Sequence, residues 1–257
     1  MKMLTRLGYL LGLPALLVLV WYLLTVNSDS FFVVDPVTLA RTFVDTWVGE
    51  RFWADVAPSL VRLAVGLVLA ISLGIGLGLL IGSSRALRSL TEPVLEFLRA
   101  IPPPVLVPIL MVLVGINNQM KVLVIVSGAI WPVLLNTVEG VRAVDEVLLD
   151  TGRVYRINGW LRVTRLVLPA AAPQMMAGIR QALSIGLILM VISEMFASSS
   201  GLGFTIVQFQ RSFAVPEMWS GVVVLGLIGV ALAFLFQFVE RRVLRWYHGL
   251  REVDHAG

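Results

Sequence analysis

Ionisable side chains are scarce in this sequence, and those set within or beside its apolar stretches are Arg62, Glu96, Arg99, Arg180 and Glu194. An ionisable group in hydrocarbon is costly, so each is expected to pair or to serve a function. The chemistry on offer is the holding of ions rather than the making of bonds. Cysteine is absent, which excludes a thiolate nucleophile, a disulfide framework and a thiolate metal site. Both histidines, His248 and His255, stand in the carboxyl tail, so the apolar stretches contain no histidine-based metal or catalytic site. The lysines are Lys2 and Lys121, and neither follows the G-x-x-x-x-G-K-[ST] pattern that cradles phosphate. The reading is therefore of a non-enzyme, with no catalytic residue, no metal ligand and no cofactor of its own.

Spacing assigns roles to these groups. Glu96 and Arg99, three residues apart, share a helical face and are expected to form a structural ion pair. Arg62, at the start of an apolar span, is expected to snorkel to the headgroups. Arg180, Gln181 and Ser184 form a polar stripe that either lines a path for solute or bonds a neighbouring helix. Glu194 stands near the outer end of the same span, where it lines a cavity or caps the turn SSSG at 198–201. Arg180 and Glu194 are 14 residues apart, about 21 Å along a helix, and cannot pair with each other within it. The run Ile101 to Pro108, with Pro102, Pro103, Pro104 and Pro108, must break a helix. Broken backbone at membrane depth is tolerated when buried in protein or lining a cavity, which places Pro103 near a pathway or at a packing kink.

The elements that position these residues follow from composition. The 257 residues are 58% hydrophobic and 14% charged, with a mean hydropathy of +0.91. Soluble domains carry about 25% charged residues, so this is an integral membrane protein. Six spans are expected, at 7–26, 60–82, 94–115, 122–138, 171–197 and 219–239, each near the length a bilayer requires. The first has a second reading as a cleaved leader, because Lys2 and Arg6 precede it. Its run of about 20 apolar residues exceeds a leader core of 7–15, and no A-x-A site follows, so an uncleaved helix is preferred. With the amino terminus inside, 14 of the 20 basic residues fall in cytoplasmic segments and four outside, which predicts both termini in the cytoplasm. The net charge of +4 then reflects topology rather than nucleic-acid binding. The spacing of Gly74, Gly76, Gly78 and Gly82 allows a close helix approach.

Asp145 to Ala172, DEVLLDTGRVYRINGWLRVTRLVLPAAA, is a charged island between apolar runs. Glu146 to Tyr155 is patterned as a short amphipathic helix, Gly159 allows a turn, and Trp160, Leu161 and Val163 begin a second helix. Two short helices at a bend make a compact knob; the other reading is a solvated loop with an interfacial helix on lipid.

The island resembles the EAA signature of ABC-importer permeases: E-A-A, a glycine four residues later, then I-x-L-P. Aligned on Pro169, Asp150, Thr151 and Gly152 occupy the E-A-A positions, and Leu166-Val167-Leu168-Pro169 matches the close. The family glycine falls on Arg156, and the nearest glycine is Gly159. The segments LRAIPPPVLVPILMVLVGI at 98–116, LLNTVEGVRAVD at 134–145, SEMFASSSGLGF at 193–204 and VERRVLRW at 239–246 resemble the nitrate/sulfonate/taurine-type permeases. The similarity covers roughly residues 35–248.

The resemblance implies an all-α membrane protein with about six transmembrane helices in the type I ABC importer permease fold. It implies one permease domain over 1–257: a first span and external segment at 1–59, a core at 60–240 with a coupling loop at 139–168, and a cytoplasmic tail at 241–257. The knob, from Asp150 through Arg153, Val154, Tyr155 and Trp160 to Leu168 and Pro169, would dock on a separate ATPase that binds ATP and Mg. The partners implied are ABC ATPases, a second permease subunit (an identical copy in the simplest case), an extracytoplasmic solute-binding protein and the bilayer of a bacterial inner membrane. The expected cargo is a small anion: a sulfonate, taurine, nitrate, bicarbonate or an aromatic acid. The alternatives are a neutral vitamin or pyrimidine precursor, or an ion-coupled secondary transporter, although no inverted repeat is visible and only Glu194 is a deep acid.

Overall fold

Uninterrupted runs of Leu, Val, Ile and Gly satisfy their backbone groups within the segment only as helix, and every regular element among the described residues is helical. The structure is a computed structural model that describes residues 2–28, 30–196 and 198–247, with side chains from residue 12 onward. His248, Arg251, His255 and the rest of the tail from 248 lie outside the described residues, as do Ala197 and the side chains of Lys2 and Arg6. The helices are α1 (Lys2–Thr25), α2 (Pro36–Trp47), α3 (Ala57–Gly82), α4 (Arg85–Ala100), α5 (Leu106–Val114) and α6 (Asn118–Arg142). They continue as α7 (Glu146–Val154), α8 (Gly159–Arg162), α9 (Leu168–Phe196), α10 (Leu202–Arg211) and α11 (Val215–Val243). Turns of π-helix at Phe52–Val56 and Val163–Val167 run directly into α3 and α9.

Four helical stretches are long and apolar enough to cross a membrane: Phe52–Gly82, Asn118–Arg142, Gly159–Phe196 and Val215–Val243. They contain the second, fourth, fifth and sixth expected spans, less Ala197. The apolar stretch Gly12–Thr25 of α1 falls on the first. The third is bent: α4 and the stretch Pro103–Val114 meet at 74°. The break has the predicted cause. Ile101 and Pro102 are extended, with ψ of 118° and 121°, because a following proline excludes the helical conformation. α4 also begins earlier than the apolar run announced: Ser84 Oγ accepts from Leu87 N and starts the helix at Arg85.

The chain divides into two compact units. One takes the chain up to Pro58 together with Ser199–Leu227. In it Asp35 caps α2, its carboxylate accepting from Val37 N and Thr38 N at 2.9 and 3.0 Å. Hydrogen bonds from Thr38, first from the side chain and then from the backbone, hold that carboxyl below its ordinary pKa. Leu39 packs with Val34 and Val215. Trp47 Nε1 donates to Ser220 Oγ at 2.8 Å in a buried contact, and its ring meets Phe209 edge-on.

The other unit holds Ser59–Ser198 and the chain from Ile228. Its centre is α6, with Val124, Ile125, Ala129 and Val133 excluded from solvent. One face of α3 lies on α6 through glycine. A Cβ at Gly74 would stand 2.8 Å from Val133 Cβ, and one at Gly78 2.5 Å from Thr137 Cβ, whereas Gly76 faces open space. α9 approaches α6 equally closely, since a Cβ at Gly178 would meet Pro132 O at 2.5 Å. Small residues let backbones approach where water provides no driving force between helices.

Candidate functional site

The charged island folds as one short helix, α7, a bend, and then the opening turns of the long helical stretch Gly159–Phe196, where the pattern predicts a second short helix. Asp145 caps α7, its carboxylate accepting from Val147 N at 2.7 Å. The helix ends in a Schellman turn, with Ile157 N donating to Gly152 O at 2.8 Å and Arg156 N to Arg153 O at 3.0 Å. The turn requires a left-handed residue, and Arg156 supplies it with φ of 56°. Glycine would be the unstrained choice at this position. Gly159, φ 57°, makes the second bend and opens α8.

α7 is seated on the π-helical turn that leads into α9. Gly152 is buried, and a Cβ there would meet Leu166 Cδ1 at 2.6 Å. Leu168 and Pro169 then begin α9 and are half-buried. The rest of α7 faces outward. Asp150 and Arg153 pair at 2.5 Å in the open, and Thr151 Oγ donates back to Val147 O. Val147, Val154, Tyr155 and Trp160 are 73%, 80%, 74% and 78% exposed, among charged neighbours. Together they form an exposed apolar face rimmed by polar residues.

The polar stripe on α9 is only partly assembled into a site. The guanidinium of Arg180 pairs with the Glu240 carboxylate of α11 and lies over the Phe236 ring, 5.6 Å from its centroid. Arg180 and Ser184 line a cleft of about 500 Å³ walled by Leu183, Leu187, Val230 and Phe236. Gln181 is exposed but does not line it. Pro103 lies against α6, where its ring would be 3.0 Å from a Cβ at Gly128. Glu96 and Arg99 form the expected pair, at 2.5 Å and half exposed. Among the described residues no group of three or more His, Asp or Glu is placed to hold a metal ion.

One expectation gives way: Arg62 does not reach toward headgroups but turns inward to Glu194. Both are buried, at 6% and 0% exposure, and Arg62 Nη1 lies 2.6 Å from Glu194 Oε1. Ser59 Oγ donates to both carboxylate oxygens at 2.7 and 2.8 Å, and Arg62 Nε donates to Asn118 Oδ1 at 2.9 Å. The cluster ties the first turns of α3 and α6 to the last turn of α9. Beside it Lys121, 4% exposed, donates to Ser198 Oγ at 2.6 Å. A buried carboxylate is tolerated here because it is paired with Arg62 and hydrogen-bonded by Ser59. Ser59, Asn118 and Lys121 were not singled out from the sequence. The available signal was that all stand, like Arg62 and Glu194, at span ends on the same side.

Residues 66–248 match the family described as binding-protein-dependent transport system inner membrane component. The putative aliphatic sulfonates transport permease protein SsuC of Bacillus subtilis (strain 168) is 30% identical over 246 residues, 94% of this chain and 89% of that protein. The bicarbonate transport system permease protein CmpB of Synechococcus elongatus is 33% identical over 195 residues, 76% and 70% of the two chains. The nitrate import permease protein NrtB of Leptolyngbya laminosa is 31% identical over 193 residues, 75% and 69%. In fold, the structure is similar to a chain of the inward-facing MetNI methionine ABC transporter. The TM-score there is 0.63 at 19% identity, covering 74% of this chain and 94% of that one.

Proposed function

The chain belongs to the binding-protein-dependent transport system inner membrane components, the permease subunits of ABC importers, and on that footing we propose how it works. Two permease subunits, identical in the simplest arrangement, enclose one pathway across a bacterial inner membrane. Residues 60–240 form the core, both termini are cytoplasmic, and the loop 139–168 carries the contact with the ATPase. ATP and Mg are bound by that ATPase, and an extracytoplasmic binding protein delivers the solute.

The observation that carries this reading is the knob. Val154, Tyr155 and Trp160 present an apolar face outward, while Gly152 seats α7 closely on Leu166, so that an added Cβ would have to displace the tip of that side chain. A partner that grips the exposed face therefore moves α7 and the turn at Val163–Val167 together. That turn runs unbroken into α9, so the displacement reaches a membrane-spanning helix. Asp150, Thr151, Arg153, Arg156, Gly159, Leu168 and Pro169 shape and hold the knob in this scheme.

The cargo proposed is a small anion, because the named relatives carry aliphatic sulfonates, bicarbonate and nitrate. Arg180, Gln181 and Ser184 are proposed to face its pathway, with Pro103 at the broken span nearby. The test is reconstitution with the cognate ATPase and binding protein, and measurement of ATP-driven uptake. The double variant Val154→Asp, Tyr155→Asp should insert normally yet lose the ATPase on purification, since it would put carboxylates without partners into an apolar interface. Co-purification that survives the double change would remove the knob from the ATPase contact.

A further inference from the structure

Behind the knob, on the side away from its apolar face, lies a cleft of about 560 Å³. It is bounded by the end of α3 and start of α4, the end of α6, and the inner sides of α7 and α8. Its charged lining is Arg85, Arg88, Arg142 and Arg162 against the single carboxylate of Glu146. Among the described residues, Arg142 alone of the four cations is in an ion pair, with Glu139 at 3.1 Å. Among the described residues Arg85, Arg88 and Arg162 form no ion pair. Arg162 is half-buried, and its Nε is shielded from solvent without a hydrogen-bond partner. The neighbouring cleft that shares Arg88 and Arg142 contains Glu92, Glu96 and Glu139, but Glu96 is taken by Arg99 and Glu139 by Arg142.

Four guanidiniums brought to one cleft from three helices repel one another, and a shielded, unsatisfied N–H costs free energy. Solvated surface arginines would not need to converge on a cavity. Guanidinium forks match phosphate oxygens two at a time, which ammonium groups do not. A basic pocket beside the ends of membrane helices is also the setting in which anionic headgroups are held. We propose that this cleft is a phosphate-binding site, taking a phosphomonoester or phosphodiester group. The phosphate comes either from an anionic phospholipid headgroup or from a soluble phosphate compound. The walls belong partly to the knob (Glu146, Arg162) and partly to the span ends (Arg85, Arg88, Arg142), so an occupant ties the two together. Its presence therefore sets how firmly knob motion is transmitted.

The experiment uses the permease with its ATPase in nanodiscs, with the ATPase nucleotide sites filled by a non-hydrolysable ATP analogue. Melting temperature is read in phosphatidylcholine discs during titration with sodium pyrophosphate at constant ionic strength, and in discs containing phosphatidylglycerol. A saturable rise with pyrophosphate in phosphatidylcholine identifies a soluble phosphate as the ligand. A rise with phosphatidylglycerol that pyrophosphate does not extend identifies the headgroup. In either case Arg162→Gln and Arg85→Gln should weaken the response at least ten-fold, while Arg162→Lys keeps part of it. Arg85→Gln changes an exposed residue and guards against loss of fold. No response to either probe in the wild type, or an equal response in the Gln variants, would overturn the proposal.

Discussion

Arg62 Nη1 and Glu194 Oε1 are 2.6 Å apart in a buried contact between residues 132 positions apart in the chain. Each charge is affordable only because the other is present. Removing one partner of such a pair costs roughly 3–5 kcal/mol, while replacing both by apolar groups is often near neutral. Arg62→Met and Glu194→Leu should therefore each lower the melting temperature of the detergent-solubilised complex sharply. The double variant should be more stable than either single one. Additive losses would show that the two charges do not support one another.

The limits of the sequence show in this same pair. Arg62 was read toward the headgroups because it begins an apolar span, and its distance from an end was the only coordinate the sequence offered. Burial is decided by which face of α3 meets α6 and α9, and that depends on the register of three helices packed together. Four of the six expected spans were legible as long apolar helices, since apolar length is local. So was the break at Pro102–Pro104, a local steric effect. The amphipathic α2 and α4 were passed over because a search for uninterrupted apolar runs does not register helices that are apolar on one side only. The knob was legible because the amphipathic pattern of Glu146 to Tyr155 and the bend at Gly159 are written in neighbouring residues; the cap by Asp145 was not read from the sequence.

Arg156 holds a left-handed conformation, φ 56°, in the Schellman turn that ends α7. For residues with a Cβ this costs on the order of 1–2 kcal/mol. Arg156→Gly should raise the melting temperature, and Arg156→Val should lower it, because a β-branched side chain fits the turn worst. If the guanidinium also contacts an acidic rim on the ATPase, the Gly variant will show altered stimulation of ATP hydrolysis by binding protein despite its greater stability. The change should be small, since an exposed pair contributes about 0.2–1 kcal/mol. Unchanged stimulation would leave Arg156 with a structural role alone.

Gly76 and Gly78 differ by two positions in one helix and by everything in surroundings. A Cβ at Gly78 would lie 2.5 Å from Thr137 Cβ and 3.0 Å from Leu134 O, while one at Gly76 meets nothing within 4 Å. Gly78→Ala should destabilise by about 1–3 kcal/mol through overpacking against α6. Gly76→Ala should be neutral or slightly stabilising, because alanine favours helix. Thermal unfolding of the two variants side by side makes the comparison, and equal losses would contradict the close α3–α6 contact.

Arg180 has two claims on it. Its guanidinium is paired with Glu240 and stacked over Phe236, which ties α9 to α11. It also opens onto the cleft it shares with Ser184, where an anion would meet a charge-assisted donor. A hydrogen bond to a charged group contributes about 1.5–3 kcal/mol, so its loss from an anion's path should reduce uptake roughly ten-fold or more. Arg180→Gln is then expected to lose uptake with assembly and basal ATP hydrolysis intact, and Arg180→Lys to retain part of it. Glu240→Gln separates the two roles: it breaks the tie but frees the guanidinium, so uptake should persist with a lower KM for an anionic solute. Parallel losses of thermal stability in the Arg180 and Glu240 variants, with uptake normal in both, would leave Arg180 as a tie between helices and remove the main support for an anionic cargo at this position.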